Sequence, residues 1–192
     1  MNDTKQSRHL APTDVLHGRK VHLRPPRVDE LPFIRTLWGD PETMASVGGP
    51  VDFPVTKARE WFARMVEPGG PPRCYCLILD QDDIPVGEIS FHQWDPEQRS
   101  ARLNVKILAA HRGRGYAKDA GRTFLACFFG RIGGRLMTDD VAAANRAGRQ
   151  LLASIGFARD HSMHDVCRMV MTRQMYLKQY GEPNQALEDT GA

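Results

Sequence analysis

The sequence predicts an α/β (α+β) mixed sheet covered by helices on both faces. Three observations carry this expectation. Three apolar-rich runs between residues 74 and 108 are separated by two turn-forming stretches, 80–85 and 95–100, the pattern of an antiparallel meander. The third run enters a tight basic, glycine-rich loop (112–117, RGRGYA) that opens an amphipathic helix. Helical and strand patterns also flank the meander in the order β-α-α-β-β-β-α-β-α-β, which layers helices on both sides of a sheet.

In chain order, residues 1–16 read as a flexible tail and residues 17–178 as one domain. Residues 20–25 alternate, with Val21 and Leu23 on one face. Asp29 is placed to cap a helix through Trp38, with Leu31, Ile34, Leu37 and Trp38 as its apolar stripe and Pro32 tolerated in the first turn. A Gly- and Pro-rich loop over 39–54 holds only a short turn at 41–46. Thr56 is the expected N-cap of a second helix that buries Ala58, Trp61, Phe62 and Met65, and the stretch EPGGPP at 67–72 stops it. The meander strands are Cys74–Leu79, 86–94 and 101–108. After the basic loop come a helix over 117–129, with Ala120, Phe124, Cys127 and Phe128 inward, and a strand over 136–141. A helix over 145–155 has Ala147, Leu151 and Ile155 at four-residue spacing and Gly156 as its left-handed cap. Val166–Thr172 is the last strand, and 179–192 is a polar C-terminal tail.

Composition narrows the function. A net charge of +3 is too small an excess for a dedicated nucleic-acid binder and matches a local site for a phosphorylated ligand. No stretch approaches the apolar length of a membrane span, and the polar N-terminus is not a signal peptide, so a cytoplasmic protein is expected. Cys74, Cys76, Cys127 and Cys167 lack zinc-type spacing or a histidine partner, so no metal is expected and buried free thiols are. A strand, a Gly-rich turn and a helix N-terminus converge at 103–120, where backbone N–H groups and the helix dipole favour an anion, with His111, Arg112 and Arg114 beside them. A Rossmann-type dinucleotide site is the weaker rival: the loop follows a meander and lacks the third glycine.

Arg112-x-x-Gly115-x-Ala117 resembles the Q/R-x-x-G-x-G/A signature of the GNAT superfamily of acyl-CoA N-acyltransferases. Asn145, Leu151 and Gly156-Phe157 resemble the family's second signature at the expected distance. Leu23-Arg24, Asp40-Pro41-Glu42 and the 56–61 helix resemble the RimJ/RimL-like branch, which holds ribosomal-protein N-terminal and spermidine N-acetyltransferases. The resemblance covers about residues 18–178 and implies a twisted, mostly antiparallel sheet of 6–7 strands, splayed between the fourth (101–108) and fifth (136–141). It implies acetyl-CoA as co-substrate and an amine acceptor, a protein N-terminus or small amine, in a monomer or homodimer without nucleic acid or membrane partners. The pyrophosphate would sit on Arg112, Gly113, Arg114, Gly115, Tyr116 and Ala117. Pantetheine would pair with the backbone of Val105, Lys106, Ile107 and Leu108, and Asn145 would bond its amide or thioester end while also serving as a helix cap.

Two departures from the family concern catalysis. Many relatives carry a tyrosine seven residues after the motif asparagine, where this chain has Leu152, and a glutamate where spacing places Arg102. The remaining proton-handling candidates are Glu88, His92 and Asp139. A plain hairpin sets Glu88 opposite Lys106, Ser90 opposite Asn104 and His92 opposite Arg102, either as a polar surface ladder or as one wall of the acceptor groove. Asp139 is an acid between Met137 and Val141 on an apolar strand face. The alternative to an enzyme is a catalytically weak or inactive acyl-CoA-binding module.

Overall fold

In the computed structural model, which describes residues 14–66, 74–163 and 165–183, one sheet runs through the molecule. Its strands are β1 (Leu16–His17), β2 (His22–Arg24), β3 (Cys74–Leu79), β4 (Pro85–Asp95), β5 (Ser100–Ile107), β6 (Leu136–Ala142), β7 (Ala158–Met163) and β8 (Val166–Thr172). They lie in the order β1-β2-β3-β4-β5-β6-β8-β7. The helices are α1 (Leu31–Gly39), α2 (Pro41–Met44), α3 (Val55–Met65), α4 (Tyr116–Ala126), α5 (Arg146–Ser154) and α6 (Arg173–Tyr180). All strand pairings are antiparallel except β5 with β6.

Among the described residues, eight strands replace the expected 6–7. Strand β1 is two residues long, too short for a periodicity, yet Leu16 is buried and pairs with Leu23. Leu16, inside the expected tail, thus belongs to the sheet, and residues 1–13 lie outside the described ones. Strand β7 (ARDHSM) is polar and shows no apolar alternation; it is placed by its ladder with β8. Helix α6 (RQMYLKQY) runs past the expected domain end. It is held by Tyr176 against Phe129, with ring centroids 5.1 Å apart, and by the Tyr180 hydroxyl donating to the Ile155 carbonyl at 3.0 Å. Residues 184–192 of the expected C-terminal tail, and all of the 67–72 stop, are outside the described residues.

Two expected caps are replaced. A single 3-10 turn, Val28–Glu30, precedes α1, and Glu30 rather than Asp29 organises it. The Glu30 carboxylate accepts from the Arg27 N–H at 2.7 Å and from the Arg24 guanidinium at 2.5 and 2.7 Å. These bonds hold it below the usual carboxylate range despite its burial. Helix α3 starts after Pro54 with no side-chain cap, so Thr56 lies inside its first turn. Asp40 caps α2 through the Thr43 N–H at 2.7 Å, turning part of the expected loop into a helical turn.

Register assigns the faces, because paired residues share one. One face carries Leu23, Cys76, Ile78, Ile89, Phe91, Leu103, Met137 and Met171 into a core with Ala120, Phe124 and Leu125 of α4 and Leu152 of α5. The other carries Tyr75, Leu77 and Leu79 under Leu31 and Ile34 of α1 and Ala58, Trp61 and Phe62 of α3. On that second face β6 and β8 present Thr138, Asp140, Arg168 and Val170, all half-buried. The four cysteines are buried and unpaired. Burial pushes the Cys127 thiol up to about 12, so it is inert near neutral pH.

Close approach of β4 and β5 depends on Gly87, where a Cβ would stand 2.2 Å from the Lys106 carbonyl oxygen. Gly87→Ala is expected to destabilise the fold by about 1–3 kcal/mol through backbone overpacking, read as a lower urea midpoint. An unchanged midpoint would show that the two strands separate freely here.

Candidate functional site

The site begins where the sheet divides. Strands β5 and β6 pair only through Ser100↔Leu136, Ala101↔Met137 and Arg102↔Thr138. Beyond Arg102 and Thr138 they diverge, so β5 from Leu103 to Ile107 has an edge without a ladder partner on the β6 side. The splay expected between 101–108 and 136–141 is therefore present. Of the four residues expected along this edge, Val105, Lys106 and Ile107 lie in β5. Leu108 lies just past it, with its N–H donated to the Val86 carbonyl at 2.9 Å.

The edge leads to the basic loop. A 3-10 turn, Ala109–His111, is followed by Gly113 at φ 78° and Gly115 at φ 83°, left-handed conformations that side chains rarely adopt. Gly115 caps α4 without a side-chain bond, so the first N–H groups of α4, from Tyr116 and Ala117 onward, have no intrahelical acceptor. Nothing lies within 4 Å of a Cβ built on Gly113, so the loop is open to an incoming group. Arg114 is exposed beside it. The Arg112 guanidinium, expected at the phosphates, is engaged elsewhere. It donates to the carbonyls of Thr43 at 2.9 Å, Glu42 at 3.3 Å and Ile107 at 3.3 Å. Together with the Ala109 N–H on the Thr43 hydroxyl at 2.8 Å, it clamps α2 to the loop.

Two supports had no local signal. Lys20 Nζ donates to the Arg114 carbonyl at 2.9 Å, and the Asp119 carboxylate accepts from the N–H groups of Lys20 at 2.7 Å and Val21 at 3.2 Å. These pairs are 94–99 residues apart in sequence, beyond the reach of any spacing rule.

Asn145 caps α5, its Oδ1 accepting from the Gly148 N–H at 2.8 Å. That bond uses the oxygen and leaves the amide nitrogen as a donor. The cap role is therefore present and a second role stays open. Two buried nitrogens near these elements, His111 Nδ1 and Arg149 Nε, lack a hydrogen-bond partner in the protein. Open left-handed glycines at the N-terminus of α4 fit an anionic ligand with hydrogen-bond acceptors.

Glu88 is neither on a surface ladder nor open to a groove. Register sets it opposite Lys106, Ser90 opposite Asn104 and His92 opposite Arg102, as the hairpin spacing predicts. Yet the Glu88 carboxylate is fully buried under α1. It accepts from Lys106 Nζ at 2.7 Å, Trp38 Nε1 at 2.7 Å, Asn104 Nδ2 at 3.1 Å and the Tyr75 hydroxyl. Burial first, then the Glu88 charge, hold the Tyr75 phenol well above its ordinary range, so it stays a donor. Lys106 Nζ also lies 5.8 Å from the Trp38 ring centre. His92 is half-buried at the far end of the ladder, its basicity lowered by burial and then by Arg102 and Lys106.

Asp139 is the first residue of β6 beyond the last β5–β6 pair. It is half-buried on the sheet face that packs against α4 and α5. Desolvation pushes its carboxyl up to about 7, Asp140 adding to the rise while Arg102 and Lys106 oppose it. Arg102 and Arg168 converge on Asp140, with bonds of 2.9 Å from Arg102 and of 2.7 and 2.9 Å from Arg168. Leu152 is 1% exposed, so the tyrosine of many relatives is replaced by a core residue. Among the described residues, no group of three or more His, Cys, Asp or Glu side chains is arranged to hold a metal ion, and no helix is long and apolar enough to cross a membrane.

Comparison with known proteins agrees with this geometry. A family model described as an acetyltransferase (GNAT) domain matches residues 20–158. An uncharacterised N-acetyltransferase, p20, from Bacillus licheniformis is 20% identical over 154 residues, covering 79% of this chain and 86% of that protein. A GNAT-family acetyltransferase structure from Bacillus anthracis superposes with a TM-score of 0.71 at 14% identity, covering 83% of this chain and 99% of its own. The spermidine N-acetyltransferase of Vibrio cholerae, solved with CoA and spermine, gives a TM-score of 0.74 at 19% identity, covering 82% and 98%. At these identities the structural likeness establishes the fold.

Proposed function

This chain belongs to the GNAT acetyltransferase family and is an N-acetyltransferase; from that premise we propose that it moves an acetyl group from acetyl-CoA, by direct attack, to a primary amine on a protein N-terminus or small molecule. The observation that carries the reading is the unpaired β5 edge ending in the left-handed Gly113/Gly115 loop at the N-terminus of α4. The proposal extends to the RimJ/RimL-like branch, on Asp40-Pro41-Glu42 and α3, and to the cytoplasm, whose reducing conditions suit four unpaired cysteines.

When bound, acetyl-CoA supplies the acetyl group as a thioester. The N–H groups of 113–117 and the Arg114 guanidinium would hold its pyrophosphate, with charge-assisted bonds strengthening the contact. Arg112 and Lys20 position that loop. Backbone groups of Val105, Lys106 and Ile107 would pair with the pantetheine amides, and the free Asn145 donor would bond the amide or thioester end. Asp139 stands beside the gap and, once ionised, would take the proton from the attacking amine. A carboxyl near 7 is matched to that task at neutral pH. His92 is a second base on the opposite face. Glu88, engaged by four donors, we assign to positioning α1 and Lys106.

Asp139 yields a paired prediction. Its ordinary value is 3.8 and its folded value about 7, so between these pH values the native state holds a proton that the unfolded chain has released. Stability therefore falls as pH rises across that window. Asp139→Asn is expected to raise Tm at pH 8, with the gain vanishing below pH 4, while lowering kcat by about 10²–10⁴-fold and removing the limb in which activity rises through pH 7. Unchanged kcat and an intact limb would assign the base elsewhere.

The reaction itself is tested by free-thiol detection with acetyl-CoA across N-terminal peptides, polyamines, aminoglycosides and amino acids. Thiol release coupled to amine acetylation supports the reading. CoA binding with no release for any acceptor favours the binding module, which Leu152 in the core makes the specific rival.

A further inference from the structure

The face of β6 and β8 beside the gap differs in charge from the rest of the acceptor side. Arg102 of β5 and Arg168 of β8 converge on one carboxylate, Asp140, leaving a net positive charge between them. Their side chains remain 31% and 40% exposed, so each guanidinium keeps donors facing solvent. The hydrogen bonds lower Asp140 below the usual carboxylate range, so it does not lose its charge near neutral pH. Lys106 adds nothing to the balance, because Glu88 neutralises it at 2.7 Å. Asp139 lies on the opposite face of the sheet, and Asp160 of β7, 51% exposed and hydrogen-bonded to His161 at 2.8 Å, is the remaining carboxylate acting on Arg168.

Register ties this cluster to the gap. Arg102 and Thr138 form the last β5–β6 pair, and Asp140 stands two residues further along β6 on the same face, about 7 Å away. Arg168 pairs directly with Asp140. A group held over Asp140 is thus within a few bond lengths of an amine placed at the mouth of the gap. That face of β6 and β8 presents Thr138, Asp140, Arg168 and Val170, each half-buried, and neither hydrophobic core cluster includes them. Two hollows of the molecule lie elsewhere, beside Lys20 and Tyr116 and beside Arg35 and Phe53. A small molecule is held by a concave pocket, whereas an extended chain can lie across an open sheet face.

From this charge and shape, and resting on the acetyltransferase reading, we infer that the acceptor is a peptide N-terminus carrying a carboxylate side chain in its first residues, recognised by Arg102 and Arg168. The arginines present planar donors suited to a carboxylate. A polyamine would bring like charge to the same spot. Asp140 orients the pair and limits its affinity by occupying part of its donor set.

Thiol-release kinetics with peptides identical except for Glu, Gln or Lys at the second position, together with spermidine and free glutamate, test this. The wild-type protein is expected to favour the Glu peptide over the Gln peptide by about tenfold in kcat/KM, mostly through KM. The ratio should shrink as salt rises, since exposed charges are screened. Arg168→Gln should bring the ratio close to one, and Asp140→Asn should widen it. Equal rates on the three peptides, a preference for the Lys peptide or spermidine, or faster turnover of free glutamate than of any peptide would overturn the inference. Because the wild-type ratio suffices, a variant that fails to fold does not remove the test. Release from the Gln peptide without a charge preference refutes this inference alone. No release from any acceptor refutes the acetyltransferase reading beneath it.

Discussion

Gly115→Glu is expected to abolish acetyl-CoA binding in calorimetry, with a loss of at least 100-fold in affinity. Three effects add at this position. The backbone sits at φ 83°, where a side chain is strained. A Cβ would stand 3.2 Å from Lys20 Nζ, the group that holds the Arg114 carbonyl and shapes the loop. The new carboxylate would place negative charge where phosphate charge is to be received, at the dipole end of α4. The fold should survive, since the loop is exposed and its core anchor Ala120 lies further along α4. Circular dichroism should stay native while binding is lost. Gly115→Ala, with the strain but no charge, should bind more weakly than wild type and more tightly than the glutamate variant. Full affinity in Gly115→Glu would remove the loop from the donor site.

The second large effect is structural. Glu88→Ala should destabilise the protein by about 3–5 kcal/mol, because Lys106, 14% exposed, would keep a nearly buried charge without its partner. For a domain of this size that lowers Tm by roughly 10 °C. Tyr75 and Trp38 would also lose their acceptor, loosening α1 over β3 and β4. A double variant, Glu88→Leu with Lys106→Met, should recover most of the loss, since neither charge is then stranded. An unchanged Tm in Glu88→Ala would mean that the carboxylate is solvated. Loss of activity in Glu88→Gln at unchanged stability and fold would instead make Glu88 the base.

Local chemistry made much of the donor side legible. Glycines at 113 and 115 between a strand and a helix mark a turn that needs left-handed backbone, and both residues adopt it. The pair Glu88↔Lys106 matches the hairpin reading, although an irregularity between His92 and Asp95, with Gln93 at φ 53°, shifts the register by one residue near the turn. The meander, β8 and the N-cap at Asn145 were readable from local pattern as well. The splay was a family expectation, visible here in the three residue pairs that join β5 to β6.

What stayed hidden depends on partners distant in sequence. An alternating Glu88-Ser90-His92 row has the same pattern on a surface as in an interior. Only Trp38, 50 residues earlier, and Tyr75 decide that Glu88 is inside. Arg112 reads as a phosphate ligand until α2, about 70 residues away, claims its guanidinium. Asp140 and Arg168 carry no motif, and 28 residues separate them. Strand β7 has too few apolar residues to announce itself, and its neighbour decides its state rather than its own propensity.

The central claim is that acetyl-CoA lies along the open β5 edge and ends on the 112–117 loop. Amide hydrogen exchange with and without acetyl-CoA tests this most directly. Slower exchange is expected over residues 103–118 and at the start of α5, with β3 and β8 unchanged. Binding that protects other segments, and leaves 103–118 exchanging as in the free protein, would contradict the account.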